Sequence, residues 1–389
     1  MMKFRGWGKH FVWITTALTL ASACTSFGPS KVPPARKDYA EAIRVSANNE
    51  LLTNIVRLRF AATPEMLDLS QVVTQYGLTA SGTAGATFLS TGDSSVLGIR
   101  AEQQENPTIT YAPVAGEEFA VRMLAPLQLY QVLILSRSGW GLRRLLASVV
   151  QRMNGLENLE PSVELIELPR PPTFNAFAEA MSLMSDLEHN HAMEVVLLPK
   201  HEHPSSRTSM EHKAGSAPGL KSFRYQMVFH PNVADEKYRE SITRLKSLLK
   251  LDPERNVFPI LMRQQEDDTN GASVVIEARS MLSAMLYFAG GIVLSEPESL
   301  HYPNTFTSLA ALGEPGKRLY PGNLLEIHAS RERPVEPYAA AHMHGMWFWI
   351  DRYDASSKAT FTLLQYLMRL QQAREYRPDS GLLLTIPTK

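Results

Sequence analysis

The stretch YAAAHMHGMWFWIDRYDASSKATFTLLQYLMRLQQ, Tyr338 to Gln372, changes its hydrophobic period partway along. Up to Ile350 it reads as a hairpin over Tyr338 to Ile350. With His344-Gly345 as a two-residue turn, cross-strand partners share a face. Ala341, Met343, Met346 and Phe348 then fall on one face, and His342, Trp347 and Trp349 on the other. From Lys358 to Gln372 the spacing turns helical. Phe361, Leu364, Tyr366, Leu367 and Leu370 form its core stripe, and Asp354 or Ser356 is placed to cap it. Leu382 to Ile386 reads as one more strand. Strand, strand, helix, strand is an α+β signature.

Working upstream, the pattern persists. Helices are expected over Phe174–Leu187, Asp235–Leu249 and Ser280–Phe288. Strands are expected over Glu194–Leu198, Phe223–Phe229, Val257–Met262, Ser273–Glu277 and Leu324–His328. The first half is richer in helix: Tyr39–Phe60, ended by Pro64, then Glu117–Leu124, Leu127–Ser136 and Leu142–Met153. Leu67–Leu78 and Thr108–Val114 read as strands. Between them lie small polar residues with Gly77, Gly82, Gly85, Gly92 and Gly98, which suit either a mobile loop or a long hairpin. The expected class is therefore α+β, with an N-terminal helix-rich region carrying a few strands and a C-terminal mixed sheet with packed helices. The proline-bearing segment Leu159–Thr173 suggests a boundary between a body of residues 39–158 and one of residues 174–389.

The N-terminus carries a different message. Lys3, Arg5 and Lys9 precede an uncharged, mostly apolar run, Phe11 to Ala23, and then Leu20-Ala21-Ser22-Ala23-Cys24. A basic start, a short apolar run and small residues before a cut make a secretory signal over residues 1–23. That run falls short of the roughly 20 residues a spanning helix needs. The stretch before Cys24 resembles the lipobox of bacterial lipoproteins, although Ala21 stands where leucine is preferred. The resemblance implies a diacylglycerol thioether and an acyl chain on Cys24, so that membrane lipid is the first partner. Cys24 is the only cysteine in 389 residues, and lipidation gives an otherwise hazardous lone thiol a use. Thr25, in place of an Asp, points to the outer membrane with the body facing the periplasm. Residues 24–38, rich in Pro, Ser and Lys, read as a flexible tether.

Basic and acidic residues balance at 39 each, and removal of Lys3, Arg5 and Lys9 leaves 36 basic against 39 acidic. Such a chain has no basic field with which to draw nucleic acid by counterion release. NELLTNIVRLRF (49–60), ENPTITYAPVAGEEF (105–119), SGWGLRRLLASVVQRMN (138–154) and GMWFWIDRYDASSKATFTLL (345–364) resemble a family of uncharacterised lipoproteins from Gram-negative bacteria. The resemblance implies a cell-envelope compartment and no particular activity.

Three groups of residues carry candidate chemistry. Gly92-Asp93-Ser94 resembles the first block of GDSL-type esterases, in which the serine is the nucleophile. Asn158 would supply an oxyanion donor, and Asp186 and His189 an Asp-x-x-His. Turn chemistry explains the same residues. His189, His191, His201, His203 and His212 lie close in sequence and could bind zinc or copper, but their Ser-, Lys- and Gly-rich setting equally suits a solvated loop. His342, Trp347 and Trp349 make an aromatic face able to stack a sugar or other ligand, or to pack beneath a helix. Arg57, Arg59, Arg143 and Arg144 are expected to lie over apolar surface with their charges in water. With no complete catalytic set, the expected role is non-enzymatic: binding an envelope protein partner, or structure.

Overall fold

A mixed six-stranded sheet organises the body. The computed structural model describes residues 32–89, 92–136, 138–160, 170–199, 223–231, 235–262, 271–294 and 312–372. The chain opens with helix α1 (Val32–Arg59). It then forms a long hairpin, β1 (Leu67–Leu89) and β2 (Gly92–Pro113). Helix α2 (Gly116–Phe119) continues into a π-helical turn (Ala120–Leu124), and α3 (Leu129–Ser136) and α4 (Leu142–Val149) follow. Next come β3 (Val150–Met153), β4 (Leu156–Glu157), α5 (Phe174–His189), β5 (Met193–Pro199) and β6 (Phe223–Phe229). Then follow α6 (Glu236–Leu248), β7 (Val257–Met262), β8 (Val274–Ala278) and α7 (Met281–Ala289). The last elements are α8 (Glu314–Leu319), α9 (Pro321–Leu324), β9 (His328–Ser330), β10 (Ala339–Met343), β11 (Met346–Ile350) and α10 (Ala355–Gln372).

The large sheet runs β4-β3-β8-β7-β6-β5, with β7 and β8 parallel and the other neighbours antiparallel. The α+β class holds. The division into residues 39–158 and 174–389 is not how the sheet is built. β3 and β4 precede the proline-bearing segment, yet β3 hydrogen-bonds to β8 beyond it, and one continuous core joins both halves. The expected strand at Leu382–Ile386 lies outside the described residues. The expected strand Leu324–His328 is instead the end of α9 followed by β9, because Pro321 at the first helical position sets φ for a helical turn.

Helix α1 starts at Val32 rather than Tyr39, so half of the expected tether is helical. Pro33 and Pro34 sit in the first turn, where a missing N–H costs nothing. Leu51, Leu52, Ile55 and Val56 are its buried stripe, packed against α7 and β10. The helix ends at Arg59, before Pro64, and Ala61, with a left-handed φ of 56°, donates its N–H to Leu58 O.

The expected helix Leu142–Met153 breaks at Val149, and Val150–Met153 becomes β3. The cause is a buried arginine. Arg279, only 1% exposed, donates from Nη1 to Ala147 O at 3.1 Å and Ser148 O at 3.2 Å, and from Nη2 to Leu159 O. Its guanidinium lies 4.1 Å from the ring centroid of Tyr287. A cation at the last carbonyls of a helix satisfies orphan acceptors and complements the dipole. Burial pushes Arg279 down to about 10, so it remains cationic at neutral pH. Asn158 completes the cap, donating from Nδ2 to Ala147 O and Val150 O, each at 2.9 Å. Arg59 also departs from expectation: it is 1% exposed, and its Nε donates to Ile292 O at 3.2 Å.

The end of α7 meets α9 backbone to backbone. A Cβ on Gly291 would lie 2.5 Å from Gly322 N, so neither element can shift without opening this contact.

Replacing Arg279 with Leu leaves buried carbonyls unpaired. At roughly 1.5 kcal/mol or more per hydrogen bond to a charged group, the expected loss is about 3–5 kcal/mol. Arg279→Lys should recover only part of it, because an ammonium cannot reproduce the planar fork. Thermal melts followed by circular dichroism measure both; a native melting temperature for Arg279→Leu would show that the guanidinium does not hold the fold.

Candidate functional site

The small sheet runs β10-β11-β9 and forms as the alternation dictates. His344 and Gly345 take φ of 51° and 75°, the left-handed pair that a two-residue hairpin turn requires. Ala339, Ala341, Met346, Phe348 and Ile350 are buried, and His342, Trp347 and Trp349 fall on the opposite face. Phe60, directly after α1, packs edge-on against Phe348, with centroids 5.8 Å apart, which fixes the inner face on the body. Asn49 Oδ1 accepts from Ala340 N at 2.9 Å, so α1 also covers the outer edge of β10.

The outward face is an aromatic strip. His342 pairs with Trp347 in register, their rings 4.8 Å apart and tilted by 43°. Trp349 stacks on His328 of β9 at 5.3 Å and 29°. The structure brings His342, Trp347 and Trp349 together as expected. It adds two residues that the sequence did not single out: His328, through the pairing of β9 with β11, and Arg333, whose guanidinium carbon sits 5.4 Å from the Trp347 ring centroid. Beside Trp349 is a shallow cavity of about 330 Å³ walled by Pro334, Glu336, Pro337 and Arg352. His328 Nδ1 lies 3.6 Å from Glu326 Oε1. Flat rings flanked by a cation suit the stacking of a planar or sugar-like group.

A second depression, of about 560 Å³, lies where α3, α4 and α10 meet. Trp140 and Tyr366 line it edge to face at 6.2 Å. Tyr366 is 46% exposed, not part of the core stripe expected for α10, while Leu363 is buried instead. Arg144 lies at its floor, donating to Ser356 O, to Thr360 Oγ1 at 2.7 Å and to Ser356 Oγ at 3.1 Å. Desolvation holds Arg144 below the usual arginine range, with Arg143 pushing the same way. Arg144 therefore ties α4 to α10. Glu188 Oε2 accepts the N–H of Leu142 at the start of α4, and burial raises its pKa.

The esterase residues do not assemble from what is described. Ser94 lies within β2, opposite Thr87 in register, and not at a strand-to-helix turn. Asn158 has both amide hydrogens on backbone carbonyls, and its Oδ1 accepts from Leu159 N at 2.8 Å. No donor remains there for an oxyanion. His189 ends α5, and His191 follows in a left-handed turn with φ of 57°. His201, His203, His212 and Cys24 lie outside the described residues. Among the described residues no three His, Cys, Asp or Glu side chains are grouped to hold a metal ion, and no helix is long and apolar enough to cross a membrane. No family model, curated protein or solved structure matches the chain.

Exchanging Trp347 and Trp349 for alanine removes two stacked pairs from the outer face and leaves Phe348 and Ile350 in the core. The expected stability cost is about 1–3 kcal/mol, from roughly 0.5–1.5 kcal/mol per aromatic pair. If the strip binds a ligand, retention of envelope glycans on the immobilised protein should fall while the circular dichroism spectrum is unchanged. Equal retention by a folded double variant rejects a binding role.

Proposed function

We infer that this chain is an exported lipoprotein, held to the outer membrane by lipid on Cys24, whose α+β body faces the periplasm. Its role is non-enzymatic, either binding an envelope protein partner or structural. The observation that carries this reading is Leu20-Ala21-Ser22-Ala23-Cys24 at the end of a short apolar run, with Cys24 the only cysteine in the sequence. Two or three acyl chains anchor firmly, since each buried methylene contributes about 0.8 kcal/mol. The start of α1 at Val32 is compatible with it. Seven residues, Thr25 to Lys31, then join the lipid to the first helix, a reach of about 25 Å at most.

The non-enzymatic role is favoured over the Ser94 esterase because the amide of Asn158 is fully engaged in capping α4. A ligand-binding role for the aromatic strip remains a second reading, supported by Arg333 over Trp347 beside the stacked His328 and Trp349.

Intact-mass and N-terminal peptide measurements on the purified protein should find a mature chain beginning at a lipid-modified Cys24. Cys24→Ser should move the protein from the membrane to the soluble fraction with its melting temperature unchanged. An unmodified N-terminus elsewhere in the chain overturns the anchor. Cross-linking in cells followed by affinity capture tests the partner, and a native anchor with no recovered neighbour argues for a purely structural role.

A further inference from the structure

The depression between α3, α4 and α10 is shaped by a tight turn. Gly139 takes φ of 90°, a value that favours glycine, and the N–H groups of Ser138 and Trp140 both donate to Leu135 O, at 3.0 and 3.4 Å. The turn lays Trp140 against α10, where its ring meets that of Tyr366 at 68°. The two rings form a corner that opens to solvent along the half-exposed Tyr366. Gly141 has an ordinary φ of −60°, and a Cβ added there or at Gly139 would meet no atom within 4 Å. Both glycines line the depression. The backbone at Gly141 admits other residues, and its missing side chain leaves the mouth clear.

Arg144 supplies the charge. It is held by neutral oxygens in the first turns of α10: Ser356 O, Ser356 Oγ and Thr360 Oγ1. Thr360 spends its own proton on Leu324 O, so its lone pairs are left to face the guanidinium. These bonds fix the cation without neutralising it. Two of them come from Nη1 and one from Nη2. A guanidinium has five N–H groups. Among the described residues, Nε–H and one N–H of Nη2 are therefore left to donate. Asp354, whose field favours the charged arginine, has its Oδ1 committed to the N–H groups of Ser356 and Ser357. Desolvation and the neighbouring Arg143 charge both work against the cation, and a bound anion relieves both.

We propose that this depression binds a small molecule whose carboxylate is carried on a flat ring. The carboxylate sits on Nε and Nη2 of Arg144, and the ring lies in the corner of Trp140 and Tyr366. The volume of about 560 Å³ falls within the roughly 300–1,000 Å³ of small-molecule sites. One fixed cation with two N–H groups to give matches one negative charge spread over two oxygens. A phosphate dianion asks for more. Aromatic rings receive the face or the edge of another ring. The bonds to α10 set the guanidinium before the ligand arrives, so little side-chain entropy is lost on binding. Two sources carry this chemistry, an aromatic acid and an acidic sugar. The proposal goes beyond the envelope reading given above and stands whether or not Cys24 is lipidated.

Calorimetric titration of the purified protein with indole-3-acetate and with glucuronate tests it. At least one should bind, and its neutral amide should bind about 10-fold more weakly, the worth of a hydrogen bond to a charged group. Binding of indole-3-acetate identifies the aromatic source and binding of glucuronate the sugar source; either supports the site. Ala359→Phe fills the depression from α10 without removing a bond to Arg144, and it should abolish binding with the circular dichroism spectrum unchanged. Trp140→Ala should weaken it. Arg144→Lys keeps the charge but loses the paired donors, so it should weaken the acids and leave the amides as they were. Should that variant unfold, Ala359→Phe decides alone. No heat from either acid up to millimolar concentration overturns the proposal. Equal affinity for acid and amide also overturns it, as does native affinity in a folded Ala359→Phe protein.

Discussion

A buried guanidinium bonded to backbone carbonyls sits at the junction on which much of this fold turns. Arg279 stands where β8 gives way to α7, and three carbonyls from the other side of the chain converge on it. Burying a cation costs several kcal/mol, and acceptors on Nη1 and Nη2 offset that cost here, while Nε is buried without a hydrogen-bond partner. Here the acceptors are the orphan carbonyls of a helix end and of the strand region beyond it. The arginine needs them and they need the arginine. The same residue closes the local backbone, its N–H donating to Val149 O and its carbonyl accepting from Leu127 N. This side chain adds to the β3–β8 pairing and the shared core that join the helix-rich first half to the sheet-rich second half. Tyr287 forms one wall of the site and spends its own hydroxyl on Leu319 O, which extends the network to α8.

That arrangement explains why the domain division read from the sequence did not survive. Pro169, Pro171 and Pro172 look like a linker, but linkers are recognised by composition, and sheet pairing across them is a long-range property. The end of α4 is a similar case. Leu142 to Met153 keeps a helical apolar spacing, and only the cap from Arg279 and Asn158, distant or later in the chain, stops the helix at Val149. Arg59 was placed at the surface because an arginine on an amphipathic helix usually lies there. Its burial depends on Ile292 O, more than two hundred residues away. Local signals fared better. The His344-Gly345 turn, the two faces of β10 and β11, and the capping role of Asp354, whose Oδ1 accepts from Ser356 N at 2.9 Å, were all legible in short windows.

The candidate site follows the same division. His342, Trp347 and Trp349 were identifiable because a period of two and a two-residue turn fix which side chains share a face. His328 and Arg333 were not, since they join through β9, a three-residue strand whose pairing no local pattern announces. The esterase reading lacks support from Asn158 for a related reason. A motif such as Gly-Asp-Ser says nothing about whether its required partners are free. The Asn158 amide turned out to be part of the scaffold, which only the hydrogen bonds of the folded chain reveal. The small and polar segment between Gly77 and Gly98 proved to be the hairpin rather than the loop.

The contact between Asn49 and Ala340 carries a consequence for misassembly. A lone outer strand with its amide open is a template onto which a foreign or unfolded chain can zip. Here one carboxamide from α1 occupies that amide, so the long first helix guards the sheet against fibrous growth from β10. Because the guard comes from the opposite end of the sequence, a chain whose first helix has not yet docked exposes the template. Productive folding and protection from aggregation are thus the same event in this protein.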